Sequence, residues 1–182
     1  MRHLLRIQSA FFFLAILMVQ ISCTEDFFVL PEEEDIEPVE ETTTATTTDL
    51  DAFATSALSQ VNQLRRQGIR CGSQLQGAAA PLRWNNKLAT AAYRHAKDMA
   101  DKGYFSHQGS NGSKVSDRVT AAGYTWSRVA ENIAKGQRDM TTVMRDWKNS
   151  PGHCKNIMNP NYKEFGMARV GNVWVQVFAT GR

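Results

Sequence analysis

Charge is distributed very unevenly along this 182-residue chain, and the distribution limits what the chain can fold into. Residues 1–22 have a net charge of +2, residues 23–51 have −11 with no Lys or Arg, and residues 52–182 have +12. The acidic segment has too few apolar residues to form a core. What remains is one domain of about 130 residues, which buries roughly two-thirds of its unfolded surface and folds without a partner. A two-domain enzyme is therefore excluded.

Residues 1–22 have the pattern of an export signal. A short basic start is followed by ten apolar residues, Ala10–Val19, which are about half of what a bilayer span needs. Ser22-Cys23 after this run resembles a bacterial lipoprotein cleavage site, although Gln20 departs from the usual pattern. We therefore predict a membrane-anchored lipoprotein of the cell envelope, lipidated on Cys23. The alternative is ordinary secretion with cleavage nearby, and both alternatives place the protein outside the cytoplasm.

Residues 23–50 are predicted to form a disordered tether between anchor and domain. The segment is acidic, contains two prolines and includes a threonine-rich run at residues 42–48. Repulsion among its carboxylates favours an extended chain.

Three cysteines are an odd number for an exported protein. If Cys23 is lipidated, Cys71 and Cys154 remain as a pair, and an oxidising compartment allows them to form a disulfide. Two buried free thiols are the alternative.

Helical periodicity dominates the first part of the domain, residues 51–182. The predicted elements are a helix over 51–67, a loop over 69–83, a helix capped by Asn85 or Asn86 that ends at Gly103, a short helix from Ser113 through Ala122, and a helix capped by Asp139. In the second helix the inward stripe includes His95, which we interpret as a core histidine.

The end of the chain predicts a β-hairpin. Lys163–Val170 and Val173–Thr180 flank the turn signal Gly171-Asn172. Apolar residues fill nearly every position of 173–178, which indicates a strand covered on both faces. The predicted fold class is α+β, with helices on both sides of a small antiparallel sheet in an α-β-α sandwich.

Three polar side chains stand out as candidates for chemistry. His107 and His153 lie at junctions between loops and helices, where functional sites are common. Glu131 lies among apolar residues in a predicted strand, and a buried carboxylate needs a partner. The three could satisfy one another, bind a divalent metal, or act as general acid and base. Neither a phosphate-binding loop nor a zinc-protease motif is present, and a disulfide would silence Cys154 as a nucleophile.

Many short motifs also follow one another in a recognisable order. They are Trp84-Asn85, Ala92…His95-Ala96…Met99-Ala100, Tyr104-Phe105-Ser106-His107, Ala122-Gly123-Tyr124, Glu131-Asn132-Ile133-Ala134, Trp147…Ser150-Pro151-Gly152-His153-Cys154…Asn156-Ile157-Met158, Gly166 and Trp174-Val175-Gln176-Val177-Phe178. This order resembles the CAP superfamily, the domain of cysteine-rich secretory, antigen-5 and pathogenesis-related-1 proteins, in its bacterial secreted branch. The resemblance implies an α-β-α sandwich with a cleft.

The resemblance also implies which residues share that cleft. By motif, His107 and His153 match the two family histidines and Glu131 matches one of two glutamates, while Ser150 stands where the second glutamate would be. Zinc or another divalent cation on the two histidines is implied by some family members. Ser106, Ser150 and Asn156 either line the cleft or cap turns, and capping is the favoured interpretation.

Two function classes remain open, and the sequence does not decide whether this is an enzyme. The favoured hypothesis is a binding module whose cleft recognises an envelope glycan, lipid or protein. The alternative is a metal-assisted hydrolase of peptide or cell-wall bonds, in which Glu131 moves the proton. A third interpretation makes the three residues a structural clamp. A monomer is expected, and nucleic acid is not an expected partner because no basic stripe interleaved with aromatic residues is present.

Overall fold

A computed structural model describes residues 47–182 of the chain. Within this range the elements are α1 (Thr47–Gln67), β1 (Ile69–Cys71), β2 (Gln74–Gln76), β3 (Arg83–Trp84), α2 (Asn86–Asp101), α3 (Val115–Ala121), β4 (Trp126–Lys135), α4 (Met140–Asn149), α5 (Pro151–Met158), β5 (Glu164–Val170) and β6 (Val173–Gly181). The predicted signal peptide, the lipidation of Cys23 and the tether up to residue 46 lie outside the described residues. Helix α1 begins at Thr47, four residues before the predicted domain boundary.

One four-stranded sheet lies between two layers of helices. Its order is β3-β5-β6-β4, with β3 parallel to β5 and the other pairs antiparallel. Helices α2 and α3 pack on one face, and α1, α4 and α5 pack on the other. The predicted α-β-α sandwich is therefore confirmed.

Strand β6 shows why the predicted hairpin forms. Alternate side chains of a strand point to opposite faces. Trp174 and Phe178 pack into the core beneath α1, α4 and α5, whereas Val175 and Val177 pack against α2. All these side chains are buried, which confirms a strand covered on both faces.

The second helix was predicted most closely. The Asn85 side chain accepts hydrogen bonds from the backbone N–H groups of Lys87 and Leu88, as an N-cap does. The buried positions of α2 are the predicted stripe, His95 included.

Two local predictions were wrong. The short helix α3 begins at Val115 with Lys114 as its N-cap, because Asp117 Oδ2 accepts the Lys114 backbone N–H, so Ser113 does not cap it. The predicted loop over 69–83 contains the small hairpin of β1 and β2 and the start of the short strand β3.

Gly166 allows the helical layer to approach the sheet closely. A Cβ at this position would lie 2.2 Å from the backbone nitrogen of Ala89 in α2. Close contact between α2 and β5 therefore requires glycine here. No helix between residues 47 and 182 is both long enough and apolar enough to cross a bilayer.

Candidate functional site

Glu131 lies at the centre of the candidate site, on β4. Its side chain is only 2% exposed. Oε1 accepts a hydrogen bond from His107 Nδ1 at 2.8 Å, and Oε2 accepts one from Arg118 Nη2 at 2.7 Å. His95 Nε2 lies 3.9 Å from Oε1. Desolvating a carboxylate is costly unless it is paired and hydrogen-bonded, and these contacts supply both requirements.

Arg118 is the residue of this cluster that our sequence reasoning missed. Besides Glu131, it donates to the carbonyls of Ser113 at 2.7 Å and His107 at 3.0 Å. It is 9% exposed. The one available signal was its position inside the apolar stripe of α3, between Val115 and Val119, because a charged residue in such a stripe either extends to water or needs a buried partner.

His107 is held through one ring nitrogen. Its Nδ1 donates to Glu131, since a carboxylate oxygen only accepts. In the neutral ring the lone pair then resides on Nε2, for which residues 47–182 provide no hydrogen-bond partner. The His107 side chain is 60% exposed. The geometry thus presents an oriented imidazole with a free acceptor nitrogen at the surface.

His153 lies in the first turn of α5, and its main chain is tied to the sheet. Asn132 Nδ2 donates to the His153 carbonyl at 3.1 Å. Burial lowers the pKa of His153, and positive charge on His107 lowers it further. Both effects favour the neutral imidazole.

His95 is a core residue with one unpaired ring nitrogen. It is 1% exposed, and burial is the main reason why its pKa is lowered. Its Nε2 donates to the Ser106 carbonyl at 2.9 Å, since a carbonyl only accepts. Its Nδ1 has no partner among the described residues. The interpretation as a satisfied core histidine therefore holds for one ring nitrogen and fails for the other.

Ser106, Ser150 and Asn156, for which capping was the favoured interpretation, have different local roles. Ser106 Oγ accepts the backbone N–H of Gln108 at 3.0 Å, which closes a turn beside His107. Ser150 occupies the N-cap position of α5 but makes no side-chain capping hydrogen bond. Asn156 makes no capping hydrogen bond among the described residues. Its Nδ2 donates to the Glu131 carbonyl at 3.2 Å and to Asn132 Oδ1 at 2.8 Å, and so joins α5 to β4.

A disulfide links Cys71 to Cys154, with their Cα atoms 5.4 Å apart. The predicted pairing is confirmed, and Cys154 is therefore not a nucleophile. Because Cys154 follows His153 directly, the bond also fixes the start of α5 to β1.

The sequence predicts a divalent cation on His107 and His153. Between residues 47 and 182 no three His, Cys, Asp or Glu side chains gather in a way that could hold an ion. A cation here would have two protein nitrogen ligands, with water or a bound ligand completing its coordination.

The comparisons with known proteins agree with the architecture. Residues 58–178 match the sequence model of the CAP family, described as the cysteine-rich secretory protein family. The uncharacterized protein YkwD of Bacillus subtilis is 34% identical over 140 residues, which cover 75% of this chain and 51% of YkwD. The chain therefore spans about half the length of that relative.

Two solved structures share the fold. An extracellular protein containing an SCP domain from Bacillus anthracis superposes with a TM-score of 0.59 at 27% identity, covering 74% of this chain and 43% of the other. An outer surface protein of Borrelia burgdorferi also gives a TM-score of 0.59, at 17% identity, covering 75% of this chain and 96% of the other. At that identity the second match supports the fold alone.

Proposed function

The chain belongs to the CAP family of cysteine-rich secretory proteins, and from this premise we propose that it is an extracytoplasmic binding protein. Its cleft at His107 and His153 receives an envelope or extracellular ligand, with or without a divalent cation. The supporting observation is the state of Glu131, whose two oxygens are taken up by His107 and Arg118 in the protein interior. Such a carboxylate orients His107 and is poorly placed to exchange protons with a substrate.

The donor set suits a divalent cation. Metal-binding histidines usually donate their second ring N–H to a carboxylate or carbonyl, and His107 does so to Glu131. His153 is favoured in the neutral form that coordinates metals. His107 through Nε2 and His153 are the residues that would hold the ion. A bound zinc ion would supply a Lewis acid to an oxygen-bearing ligand.

The hydrolase alternative is less well supported. A general base must come within hydrogen-bonding reach of the proton that it removes. The Glu131 side chain is almost fully buried and engaged on both oxygens. Ser150 also stands where the family pattern has a second glutamate, so the motif supplies no second carboxylate that could act as the general base.

Calorimetry of the full chain with zinc, magnesium and calcium tests the cation. We expect one ion per chain for at least one of these metals, with binding lost in His107→Ala and in His153→Ala. Lys155→Ala is the matched control, because this exposed residue lies on the same helix as His153. Absence of binding for all three metals would remove the cation from the proposal.

Turnover distinguishes the two functions. We expect that wild-type protein incubated with peptidoglycan or with a mixed peptide library leaves both unchanged. Consumption by the wild type that disappears in Glu131→Gln would overturn the binding proposal in favour of hydrolysis.

We also propose that the protein is anchored in the envelope through lipid on Cys23. The support is the sequence pattern at residues 1–23 together with the extracellular description of the Bacillus anthracis neighbour. The wild type should fractionate with membranes, and Cys23→Ser should not. Equal membrane association of the two proteins would refute the anchor.

A further inference from the structure

The outer edge of strand β5 is paired along only part of its length. Strand β3 pairs with Glu164 and Phe165 alone, so between residues 47 and 182 no strand lies beside Gly166–Val170 on that side. At about 3.3 Å per residue, these five residues form an open edge of roughly 16 Å. Unpaired N–H and C=O groups along a sheet edge are a template on which another extended chain can pair.

The hydrogen bonds at the start of β5 fix which backbone groups point outward. Asn85 donates its backbone N–H to the Phe165 carbonyl at 2.9 Å, so the main chain of Phe165 faces the outer edge. Backbone groups of successive residues in a strand point to opposite sides. Met167 and Arg169 therefore also direct their N–H and C=O groups outward, whereas Ala168 directs its groups toward β6. From the described residues, no hydrogen bond reaches the main chain of Met167 or Arg169 on the outer side.

A cavity of about 670 Å³ borders this open edge and is enclosed by α1 and α2. Its volume falls in the range of roughly 300–1,000 Å³ found for ligand sites. Met167, Ala168 and Arg169 belong to its lining, and we call it the β5 groove. Each helix turns one stripe of side chains toward the groove, at the spacing of three and four residues that shares a helix face. The stripes are Leu50, Phe53 and Ala54 of α1, and Asn86, Ala89, Thr90 and Tyr93 of α2.

The walls of the β5 groove are apolar and partly exposed. Leu50 is 60% exposed and Tyr93 is 50% exposed, and they are two of the four large apolar side chains that the described residues expose. Exposed apolar surface within a groove marks binding sites for ligands or proteins. The charged residues of the lining are Asp49 and Asp51 on α1 and Arg169 on β5, all of them exposed. Charges of both signs on an apolar groove favour a ligand that is apolar rather than strongly charged.

We propose that the β5 groove binds an extended peptide segment with apolar side chains, which adds to the sheet as a strand beside β5. The peptide backbone pairs with the outward groups of Arg169, which is exposed, and of Met167, which lines the groove. Side chains of an extended peptide alternate between two sides. One set therefore packs on Leu50 and Phe53 of α1, and the other packs on Tyr93 of α2. An acyl chain fits apolar walls equally well but leaves the outward backbone groups of β5 without partners.

Amide NMR of the full chain, titrated with the acetylated pentapeptide amide Thr-Val-Phe-Val-Thr, tests the pairing. We expect the amide resonances of Met167 and Arg169 to shift saturably, with a dissociation constant of about 0.1–3 mM. The amide of Ala168 faces β6 and should shift less. The same peptide with every amide nitrogen methylated is the matched ligand control, because it keeps the side chains but has no backbone donors. It should not produce these shifts.

Exposed residues on the groove walls provide the protein variants. Leu50→Ser and Tyr93→Ser should each weaken peptide binding about 3- to 20-fold, because each removes apolar contact area. Both side chains are at least half exposed, so the core does not depend on them. Leu75→Ser is the matched control, because Leu75 is 71% exposed and lies on β2, outside the groove lining.

Four results would overturn the proposal. The peptide shifts neither outward amide at concentrations up to about 10 mM, which excludes binding in the expected range. The methylated peptide shifts them as strongly as the parent peptide, which excludes strand pairing. Monomeric octyl glucoside shifts them in the same way, which makes the groove an acyl-chain site. Both wall variants bind like the wild type, which locates the peptide elsewhere. The groove shares no lining residue with the cleft at His107 and His153, so each of these results leaves the proposed function intact.

Discussion

Replacing Arg118 with Met tests the internal arrangement of the site most directly. Met has a similar length but removes the hydrogen bonds to Glu131 Oε2 and to the carbonyls of Ser113 and His107. The Glu131 carboxylate stays buried at 2% exposure, with His107 as its remaining hydrogen-bonded partner in the described part of the chain. Breaking a buried ion pair by removing one partner costs about 3–5 kcal/mol. We expect the free energy of unfolding to fall by about that much.

Urea unfolding followed by tryptophan fluorescence measures the effect, since Trp147 and Trp174 are both buried. Arg145→Met is the matched control: Arg145 is 64% exposed, with a contact of only 3.4 Å to Asp146, and its loss should change stability by no more than about 0.5 kcal/mol.

A double-mutant cycle separates the ion pair from the other contacts. Glu131→Gln removes the charge that Arg118 neutralises, so the double variant should be more stable than the two single losses predict, by about 0.5–3 kcal/mol. If Arg118→Met costs less than about 1 kcal/mol, or if the two losses simply add, the description of a buried and coupled pair is wrong.

Three further predictions follow from the same structure. Reducing the disulfide should lower the free energy of unfolding by up to about 4–5 kcal/mol, because it closes a loop of 83 residues; urea midpoints with and without reductant measure this, and a loss below about 1 kcal/mol would contradict the entropic estimate. Burial lowers the pKa of His153 below its ordinary value of 6.5, so its contribution to stability should be complete above pH 6.5 and lost as the pH falls through the lowered pKa. Between about pH 7.5 and 5 the urea midpoint should therefore fall less steeply in His153→Gln than in the wild type, and an equally steep fall would refute this. Gly166→Ala should lower the free energy of unfolding by about 1–3 kcal/mol or more, because its Cβ would lie 2.2 Å from the Ala89 nitrogen. Gly77→Ala is the control and should be nearly neutral, because the space around Gly77 is open. Similar losses in the two variants would contradict the close contact.

Those parts of the fold that depend on local periodicity were predictable from the sequence. The α2 stripe and the burial of β6 on both faces were predicted correctly, because the apolar side chains along each element are the ones it buries. The disulfide was predictable by cysteine arithmetic. The hairpin of β1 and β2 was not, since each strand has only three residues and its pairing depends on contacts that a short pattern cannot record.

The electrostatic core of the site could be predicted only in part. Glu131 was recognised as needing a partner because its neighbours are apolar, and His107 was singled out as a candidate. Arg118 was not, because an arginine in an apolar stripe can extend its charged end to water. Whether Arg118 reaches water or a buried partner depends on β4, which begins eight residues later in the chain. Helical periodicity contains no information about how close that strand lies to α3.

Adjacent residues on β4 contact both candidate histidines, the ring of His107 and the main chain of His153. Successive side chains of a strand point to opposite faces, so Glu131 and Asn132 address different helical layers. Glu131 meets Arg118 and His107 on the side of α3, whereas Asn132 meets the His153 carbonyl and Asn156 of α5 on the other. The placement of both histidines thus depends on two consecutive residues of one strand, which pairs with β6 along its length. Since a strand paired in this way resists local distortion, the arrangement suits a preformed binding cleft better than a site that must assemble around each substrate.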